Sequence, residues 1–330
     1  MRVESVLITG AGGFIGSHLA EDQLRRNRSV KALDVNLRNL APLRGKSTCQ
    51  LIEGDIRDEA LLERIVPGTD IIFHLASAHL ELNKPESYYW QTNVQSIRGL
   101  MKASHRHGVR RFVHCSSVGV YGPLAELPAN EQTPCRPEIL YEKTKLAGEA
   151  ELRKSYGDFP VPYVILRPAW VYGPRCRRTH KLFRAIKKGR FLVVGTGDNL
   201  RHPVYVGDML EAFELAATQE AVTGETFVIA SSEAVRLKDI IGEIARIQGV
   251  RIPMVRIPLA AMKPVAAVVE AVFKALGKEP PFSRRSLKFF IESSSFDINK
   301  ARGLLGFHPK VDLKKGLAET LEGFREMGLI

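Results

Sequence analysis

Cysteine is scarce, four in 330 residues, and Cys49, Cys115, Cys135 and Cys176 form no CxxC pair and no metal-ligand spacing. That excludes a disulfide-stapled scaffold and a zinc site; ordinary thiols in a reducing compartment, with no bound metal, are expected. Uninterrupted apolar runs of membrane-spanning length are missing as well. The most apolar stretch, 257–276, is broken by Lys263, Pro264, Glu270 and Lys274, a pattern that predicts an amphipathic helix packed on its own domain rather than a span. No leader precedes the first apolar strand, so a cytoplasmic protein is expected. Acid is in short supply: 36 Asp and Glu stand against 48 Lys and Arg, a net charge of +12. Eight cations crowd into 175–190 with no acid among them (Arg175, Arg177, Arg178, Lys181, Arg184, Lys187, Lys188 and Arg190). A solvated basic helix face accounts for most of these and an anionic ligand for the remainder. Nucleic acid is not expected, because no aromatic platform is interleaved.

What is present suits an α/β protein of one large or two modest domains. At 45% hydrophobic residues, the chain can bury a sizeable core. Short apolar runs at Val3–Ile8, Ser29–Leu33, Cys49–Glu53, Ile71–Leu75, Arg111–Ser116 and Val161–Leu166 alternate with helical stretches. Such alternation predicts a doubly wound parallel sheet whose ligands bind at the carboxyl edge of the strands. The Pro/Gly-rich patches at 122–137 and 277–281 read as loops, the first bordering the expected site.

Residues 9–16 read Thr-Gly-Ala-Gly-Gly-Phe-Ile-Gly directly after the first strand. Gly10, Gly13 and Gly16 stand where a tight turn, a close approach to a pyrophosphate and a close helix–strand contact need them, and the helix that follows presents its positive end to phosphate. Asp34, at the tip of the second strand, can accept from both ribose hydroxyls and would repel a 2′-phosphate. NAD is therefore the expected dinucleotide; nearby Arg38 keeps NADP as the alternative. His74 ends its strand where the cofactor belongs and reads as a histidine hydrogen-bonded to backbone, without a catalytic role.

Tyr141-Glu-Lys-Thr-Lys145 opens a helix predicted to run to about Lys154, and a spacing of four puts the phenol and the ammonium on one face. A lysine beside a tyrosine stabilises phenolate, which can take a hydroxyl proton as hydride moves, while Ser117 bonds the same substrate oxygen. Alone, YxxxK is common on helices, with Tyr141 a surface aromatic and Lys145 a solvated charge. After a dinucleotide turn and a Ser-Ser strand end it becomes a specific signal.

The chain resembles the extended short-chain dehydrogenase/reductases, the NAD-dependent epimerase/dehydratase group that holds nucleotide-sugar epimerases and dehydratases as well as 3β-hydroxysteroid dehydrogenases. The resemblance rests on TGAGGFIG at 9–16, GDIRD at 54–58, HLAS at 74–77, Asn93, SSVGVYGP at 116–123, YEKTK at 141–145, LRPAWVYGP at 166–174, RHPVYVGD at 201–208 and FDINKARGLLGFHP at 296–309. It implies a Rossmann-type doubly wound parallel sheet over 1–168, with later segments returning to it around 201–230, and a smaller mixed α/β substrate domain over most of 169–330. It also implies catalysis by Ser117, Tyr141 and Lys145. NAD would be held by Gly10, Gly13, Phe14, Ile15, Gly16, Asp34, Asp55, Ile56, Leu75, Ala76, Ser77, Asn93, Tyr141, Lys145 and Pro168. Substrate would meet Ser117, Tyr141, Arg201, Arg284 and Arg285, and the enzyme would be a homodimer.

The branch is set by what surrounds Ser117. Dehydratases carry an Asp-Glu pair after it, and decarboxylating relatives an acid at the second position; here stand Val118 and Gly119. Simple redox at one carbinol remains. Arg201, Arg284 and Arg285 with the basic 175–190 region favour a nucleotide sugar and hence 4-epimerisation with NAD retained. The sequence 280–301 is closer to the tail of hydroxysteroid dehydrogenases, which keeps oxidoreduction of a hydrophobic alcohol or ketone as the alternative. A non-catalytic NAD sensor would show damage to the triad, and none is visible.

Overall fold

A computed structural model describes residues 3–79, 84–189, 191, 193–251, 256, 257, 262, 264, 268, 269, 273 and 289–330. The six apolar runs become β1 (Ser5–Thr9), β2 (Ser29–Asp34), β3 (Cys49–Glu53), β4 (Ile71–His74), β5 (Arg111–Cys115) and β6 (Tyr163–Pro168). Beyond them come β7 (Trp170–Tyr172), β8 (Val193–Val194), β9 (Leu200–Arg201), β10 (Pro203–Tyr205), β11 (Thr226–Ile229), β12 (Val235–Arg236) and β13 (Arg256–Ile257). The helices are α1 (Phe14–Arg25), α2 (Glu59–Ile65), α3 (Glu86–Trp90), α4 (Ser96–Arg106), α5 (Leu140–Asp158), α6 (Arg177–Lys187), α7 (Val206–Thr218), α8 (Leu237–Ile247) and α9 (Leu313–Glu326). The strand ends lie within two residues of those expected, and α5 runs a turn past Lys154.

Seven strands form one parallel sheet in the order β11-β6-β5-β4-β1-β2-β3. Its strands are apolar at consecutive positions because both faces are covered. Along β1, Val6 and Ile8 pack on one side and Leu7 on the other; along β4, Ile71 and Phe73 oppose Ile72; along β6, Val164 and Leu166 oppose Tyr163 and Ile165. The first face is covered by α1 and α7, through Leu19, Met209 and Phe213, and the second by α2, α4 and α5, through Leu62, Leu100 and Leu152. After β1 the chain winds outward to β2 and β3, then crosses back to β4 on the far side of β1. This reversal opens a crevice at the carboxyl ends of β1 and β4, where ligands of such sheets sit.

A second, smaller core joins α6, α8 and α9. Phe183 and Ile186 of α6, Ile240, Ile241 and Ile244 of α8, and Leu317, Leu321 and Phe324 of α9 recur at three and four residues and close on one another. Around it lie two-stranded pairs: β7 with β10, β9 with β12 and β8 with β13. Among the described residues no helix is long and apolar enough to cross a membrane. Arg284, Arg285, the loop at 277–281 and most of 257–276 lie outside the described residues.

Phe213 is fully buried and meets Phe73 edge to face at 5.9 Å, fixing α7 on the sheet. Phe213→Ala leaves a cavity there and is expected to lower unfolding free energy by about 3–5 kcal/mol, read by denaturant titration.

Candidate active site

β1 must turn into α1 within a few residues, and the glycines permit it. Gly10 has a φ of +72°, and a Cβ on it would stand 2.6 Å from the Ala76 backbone nitrogen. A Cβ on Gly16 would stand 2.2 Å from the Gly10 carbonyl oxygen, so the first turn of α1 can lie against the strand only as glycine. A Cβ on Gly12 would stand 2.0 Å from the Asn36 carbonyl oxygen, a restriction that the motif spacing does not single out. Gly13 caps α1 without a side-chain bond, and no acid lies in the first turn. The N–H groups of Phe14, Ile15 and Gly16 therefore offer an anion the helix's free donors and positive dipole end. A Cβ on Gly13 itself would meet only the Gly10 oxygen within 4 Å, which leaves room for a pyrophosphate.

Asp34 stands at the tip of β2, its carboxylate accepting from Gly12 N (2.9 Å) and Asn36 N (2.9 Å). Burial raises its pKa despite these bonds. Asn39 Nδ2 donates to the Gly12 carbonyl at 2.7 Å and braces the turn from outside. Arg38 is exposed, its backbone N–H on Asn36 Oδ1. This cradle fits a dinucleotide with free ribose hydroxyls.

On the opposite wall, Leu75, Ala76 and Ser77 continue β4. Asn93 holds this loop: its Oδ1 accepts from Ala78 N (2.7 Å) and Ser77 Oγ (3.1 Å), and its Nδ2 donates to Ala78 O (3.1 Å) and Thr144 Oγ1 (2.9 Å). Asn93 lies in a π-helical turn, Gln91–Gln95, and the Asn93 carbonyl would sit 2.4 Å from a Cβ on Gly148. The loop, the π turn and α5 are thus locked together through Asn93, Thr144 and Gly148. His74 corrects one expectation: its Nδ1 pairs with the Thr9 hydroxyl at 2.8 Å, not with backbone. Burial first, and then the Lys145 charge, push its pKa down to about 3. It stacks on His114 at 5.3 Å, a second buried imidazole held well below its ordinary value, so both rings are neutral at physiological pH.

Ser117 follows the carboxyl end of β5, Lys145 reaches that end from α5, and Tyr141 stands in the first turn of the same helix. Lys145 is buried, and its ammonium donates to the carbonyl of Cys115, two residues before Ser117. Desolvation lowers its pKa, opposed by Cys115 and Glu149. Ser117 Oγ accepts from Gly119 N at 3.0 Å. A Cβ on Gly119 would lie 3.2 Å from both Ser117 Oγ and Glu142 Cγ, so the serine turn rests on the first turn of α5, where Tyr141 stands. Tyr141 meets His79 edge to face at 4.4 Å.

Behind them lies a charge network that the motif reading did not assign. Glu149, fully buried, accepts from Arg167 Nε (2.9 Å) and Nη2 (2.7 Å) and from Ser116 Oγ (2.6 Å). Arg167 Nη1 also donates to the Tyr121 hydroxyl at 2.9 Å. Burial opposes both charges, but the paired hydrogen bonds win: Glu149 is held below its ordinary value and Arg167 above its own. The sequence signal was there: Glu149 follows Lys145 by four, and Arg167 interrupts an apolar strand.

The remaining expected residues are more dispersed. Asp55 is clasped by Arg57 at 2.6 Å, and its side chain's hydrogen bond to Arg57 lowers its pKa. Ile56 is buried in the core beneath it, and Pro168 ends β6. Arg201 lies on β9, paired with Val235 of β12. Its guanidinium donates to the Phe289 carbonyl and covers the Phe289 ring at 4.4 Å. Arg178, which motif reading left among the solvated cations, covers the same ring at 5.2 Å and Trp170 at 5.9 Å. Burial, then the Arg178 charge, push Arg201 down to about 10. Trp170 Nε1 is buried beside them with no hydrogen-bond partner among the described residues.

Two outcomes follow from this geometry. Gly10→Ala drives a Cβ into the Ala76 backbone and is expected to weaken NAD binding about tenfold or more, ~1.4 kcal/mol or above, by calorimetric titration. Glu149→Gln strands the Arg167 guanidinium and is expected to cost about 3–5 kcal/mol at neutral pH. Because the Glu149 carboxyl is held below its ordinary 4.5, the pair stabilises fully above that range and loses its effect as pH falls through the lowered value. The stability gap between wild type and Glu149→Gln should therefore narrow on acidification, measured by denaturant titration across pH.

Residues 6–230 match the NAD dependent epimerase/dehydratase family. The chain is 28% identical over 323 residues to the N-acetyl-alpha-D-glucosaminyl-diphospho-ditrans,octacis-undecaprenol 4-epimerase of Escherichia coli O157:H7, covering 97% of this chain and 95% of that protein. It is 25% identical to the 3beta-hydroxysteroid-dehydrogenase/decarboxylase isoform 1 of Arabidopsis thaliana, covering 97% of this chain and 80% of that protein. The solved structure of UDP-glucuronic acid 4-epimerase from Bacillus cereus in complex with NAD superimposes with a TM-score of 0.79 at 26% identity, covering 98% of this chain and 99% of that one. The dinucleotide cradle at β1 and the tyrosine–lysine helix at β5 thus stand in an enzyme that belongs to the NAD dependent epimerase/dehydratase family and uses NAD.

Proposed function

We propose that the protein is a 4-epimerase of a sugar carried on a diphosphate, most simply a UDP- or dTDP-sugar, working through Ser117, Tyr141 and Lys145. The observation that carries this reading is the buried Lys145, which donates to the Cys115 carbonyl two residues before Ser117 and stands one turn along the helix that Tyr141 opens. NAD, when bound, supplies a reversible hydride acceptor. Tyr141, as phenolate, takes the proton of the C4 hydroxyl and later gives it back. Lys145 stabilises that phenolate, and Ser117 bonds the C4 oxygen. Gly10, Gly13, Phe14, Ile15 and Gly16 would face the pyrophosphate; Asp34 would take the adenosine ribose and Asp55 with Ile56 the adenine. Leu75, Ala76, Ser77 and Pro168 would line the nicotinamide side, with Asn93 holding that wall.

Diphosphate recognition is supported by Arg201 and Arg178, two guanidinia drawn together around Phe289 with the Trp170 N–H beside them. Guanidinium groups pair phosphate oxygens bidentately. Two of the proteins the chain resembles are named for sugars carried on diphosphates. Val118 and Gly119 stand where dehydratases carry their Asp-Glu pair, which weighs against elimination. Residues 1–168, with the return at 201–230, would hold NAD, and the rest would close on the substrate, in a cytoplasmic homodimer. A second reading, oxidoreduction of a hydrophobic alcohol, is favoured by the likeness to the Arabidopsis hydroxysteroid dehydrogenase.

Denaturing the purified protein and analysing the supernatant by mass spectrometry, alongside incubation with UDP- and dTDP-hexoses, separates the two. Co-purifying NAD and a C4 epimer without net cofactor turnover support the epimerase. An empty protein that ignores nucleotide sugars and turns over added NAD(P)H with hydrophobic ketones installs the dehydrogenase. Tyr141→Phe should lower kcat about 10²–10⁴-fold with NAD binding kept, whereas Arg201→Gln and Arg178→Gln should raise KM for the sugar nucleotide and leave kcat largely unchanged.

A further inference from the structure

His202 is the single residue between β9 and β10. It is 4% exposed, and backbone groups take both of its ring nitrogens. Nδ1 accepts from the Phe296 N–H at 3.0 Å, and Nε2 meets the Ser231 carbonyl at 2.9 Å. A nitrogen that accepts carries no proton, so the ring proton is on Nε2, which donates to Ser231; His202 is a neutral imidazole of one tautomer. Its ring also lies at 20° to that of Phe296, 6.2 Å away. One side chain thereby ties the β9–β10 junction to the loop after β11 and to residues 289–297. That segment supplies the Phe289 carbonyl and ring that hold Arg201. Side-chain bonds at its β9 end, from Asn199 Nδ2 to the carbonyls of Phe289 and Glu292 and from Leu200 N to Ser293 Oγ, are half-buried or exposed, where water can compete for them. The Phe296 bond is buried, and a buried N–H deprived of its acceptor is costly. Phe296 in turn meets Tyr121 at 6.1 Å, whose hydroxyl accepts from Arg167, so the contacts run on to the network behind Ser117 and Lys145.

We propose that His202 is a positioning residue for substrate recognition: as a neutral imidazole it seats residues 289–297 against β9 and β10 and so fixes the Arg201 guanidinium for the diphosphate of the substrate. This rests on the reading of Arg201 as the diphosphate contact, and it gives His202 no contact with substrate. Protonation undoes the seat, because a second ring N–H at Nδ1 would face the Phe296 N–H, donor against donor. Charged side chains on the elements around the ring are Arg201 beside it, Glu233 beyond Ser231, Asp297 next to Phe296 and Arg302 on the following turn; of these, Arg302 is the one whose charge shifts the imidazole. Burial lowers its pKa, the Ser231 bond opposes, and Arg302 adds to the lowering. The seat is therefore closed at and above the ordinary range of histidine and opens as pH falls through the lowered value.

The test is calorimetric titration of the NAD-loaded protein with UDP-glucose and with dTDP-glucose, whose diphosphates do not titrate over the range used, from about pH 7.5 to about pH 5. The wild type should lose affinity toward the acid end. His202→Ala should bind about tenfold or more weakly already at neutral pH, raising KM with kcat nearly unchanged. His202→Asn keeps an acceptor where Nδ1 stands and has nothing to protonate, so it should bind like the wild type at neutral pH and hold that affinity in acid. Adding His202→Ala to Arg201→Gln should cost little beyond Arg201→Gln alone, because the two act through one contact. NAD affinity, unchanged in every variant, certifies the fold without reference to substrate. Equal affinity of wild type and His202→Ala, failure of His202→Asn to restore binding, an acid loss that persists in His202→Asn, or full additivity with Arg201→Gln overturns the proposal. A wild type that binds neither nucleotide sugar at any pH overturns the reading of Arg201 itself, and the proposal falls with it.

Discussion

Glu149 carries a full charge at 0% exposure, and the geometry of the site follows from how that charge is satisfied. It accepts from Arg167 of β6, from Ser116 at the end of β5, and is itself part of α5. One carboxylate therefore joins the three elements that bear Ser117, Lys145 and Pro168. Ser116 precedes Ser117, and Lys145 stands one helical turn before Glu149, so no movement of this carboxylate leaves the candidate proton-transfer groups in place. A buried ion pair is not in itself a large source of stability, since desolvation offsets most of its attraction. Its contribution here is register: the hydrogen bonds of Arg167 to Glu149 and Tyr121 permit one placement of the serine turn against α5.

Legibility in the sequence followed the range of the interactions. The glycine turn was readable because its requirements are local: a positive φ at Gly10 and close backbone contact at Gly16 leave no other residue type. The six consecutive strands were readable because burial on both faces makes each a short apolar run. β11 resembles them in composition but joins the sheet beside β6 only after a long excursion; the family resemblance implied a return around 201–230, while nothing local marks the strand. His74 was legible as a non-catalytic strand end, while its partner was not, because Thr9 lies on a neighbouring strand, 65 residues away. The bracing role of Asn93 likewise needs Ala78 and Thr144, which only the π turn and the crossing of α4 with α5 bring within reach. The two-residue strands of the smaller lobe are too short to leave any periodic trace.

The excess positive charge is distributed in two distinct ways. Over much of the chain it is neutralised in pairs that join elements: Arg28 with Glu214, Arg110 with Asp70, Arg175 with Glu21. These pairs hold β2 to α7, β4 to the entry of β5, and the loop before α6 to α1. No acid stands within α6 itself, and the Arg178 charge, opposed by that of Glu292, lowers the Arg201 pKa. Like charges held together cost stability unless an anion joins them. Arg178 and Arg201 are folded around aromatic rings, a shape that in the proposed reading suits a small anionic ligand.

The same contrast bears on the chemistry in the proposed reading. A 4-epimerase must present both faces of one carbon to a fixed hydride acceptor, so the sugar must turn while the rest of the substrate stays bound. Tyr141 and Lys145 stand on a helix pinned at Thr144 and Glu149 and cannot follow it. The anchor must therefore be remote from the reacting carbon and rigid. Arg201 meets the second condition, since its guanidinium is held on the Phe289 carbonyl and ring. A hydrophobic alcohol, gripped along its length by apolar contact, would gain nothing from two guanidinia and an indole N–H that has no partner among the described residues. In the proposed reading a rigid proton-transfer helix and a guanidinium held on a neighbouring carbonyl and ring together suit a turning sugar, and they weigh for the epimerase over the dehydrogenase.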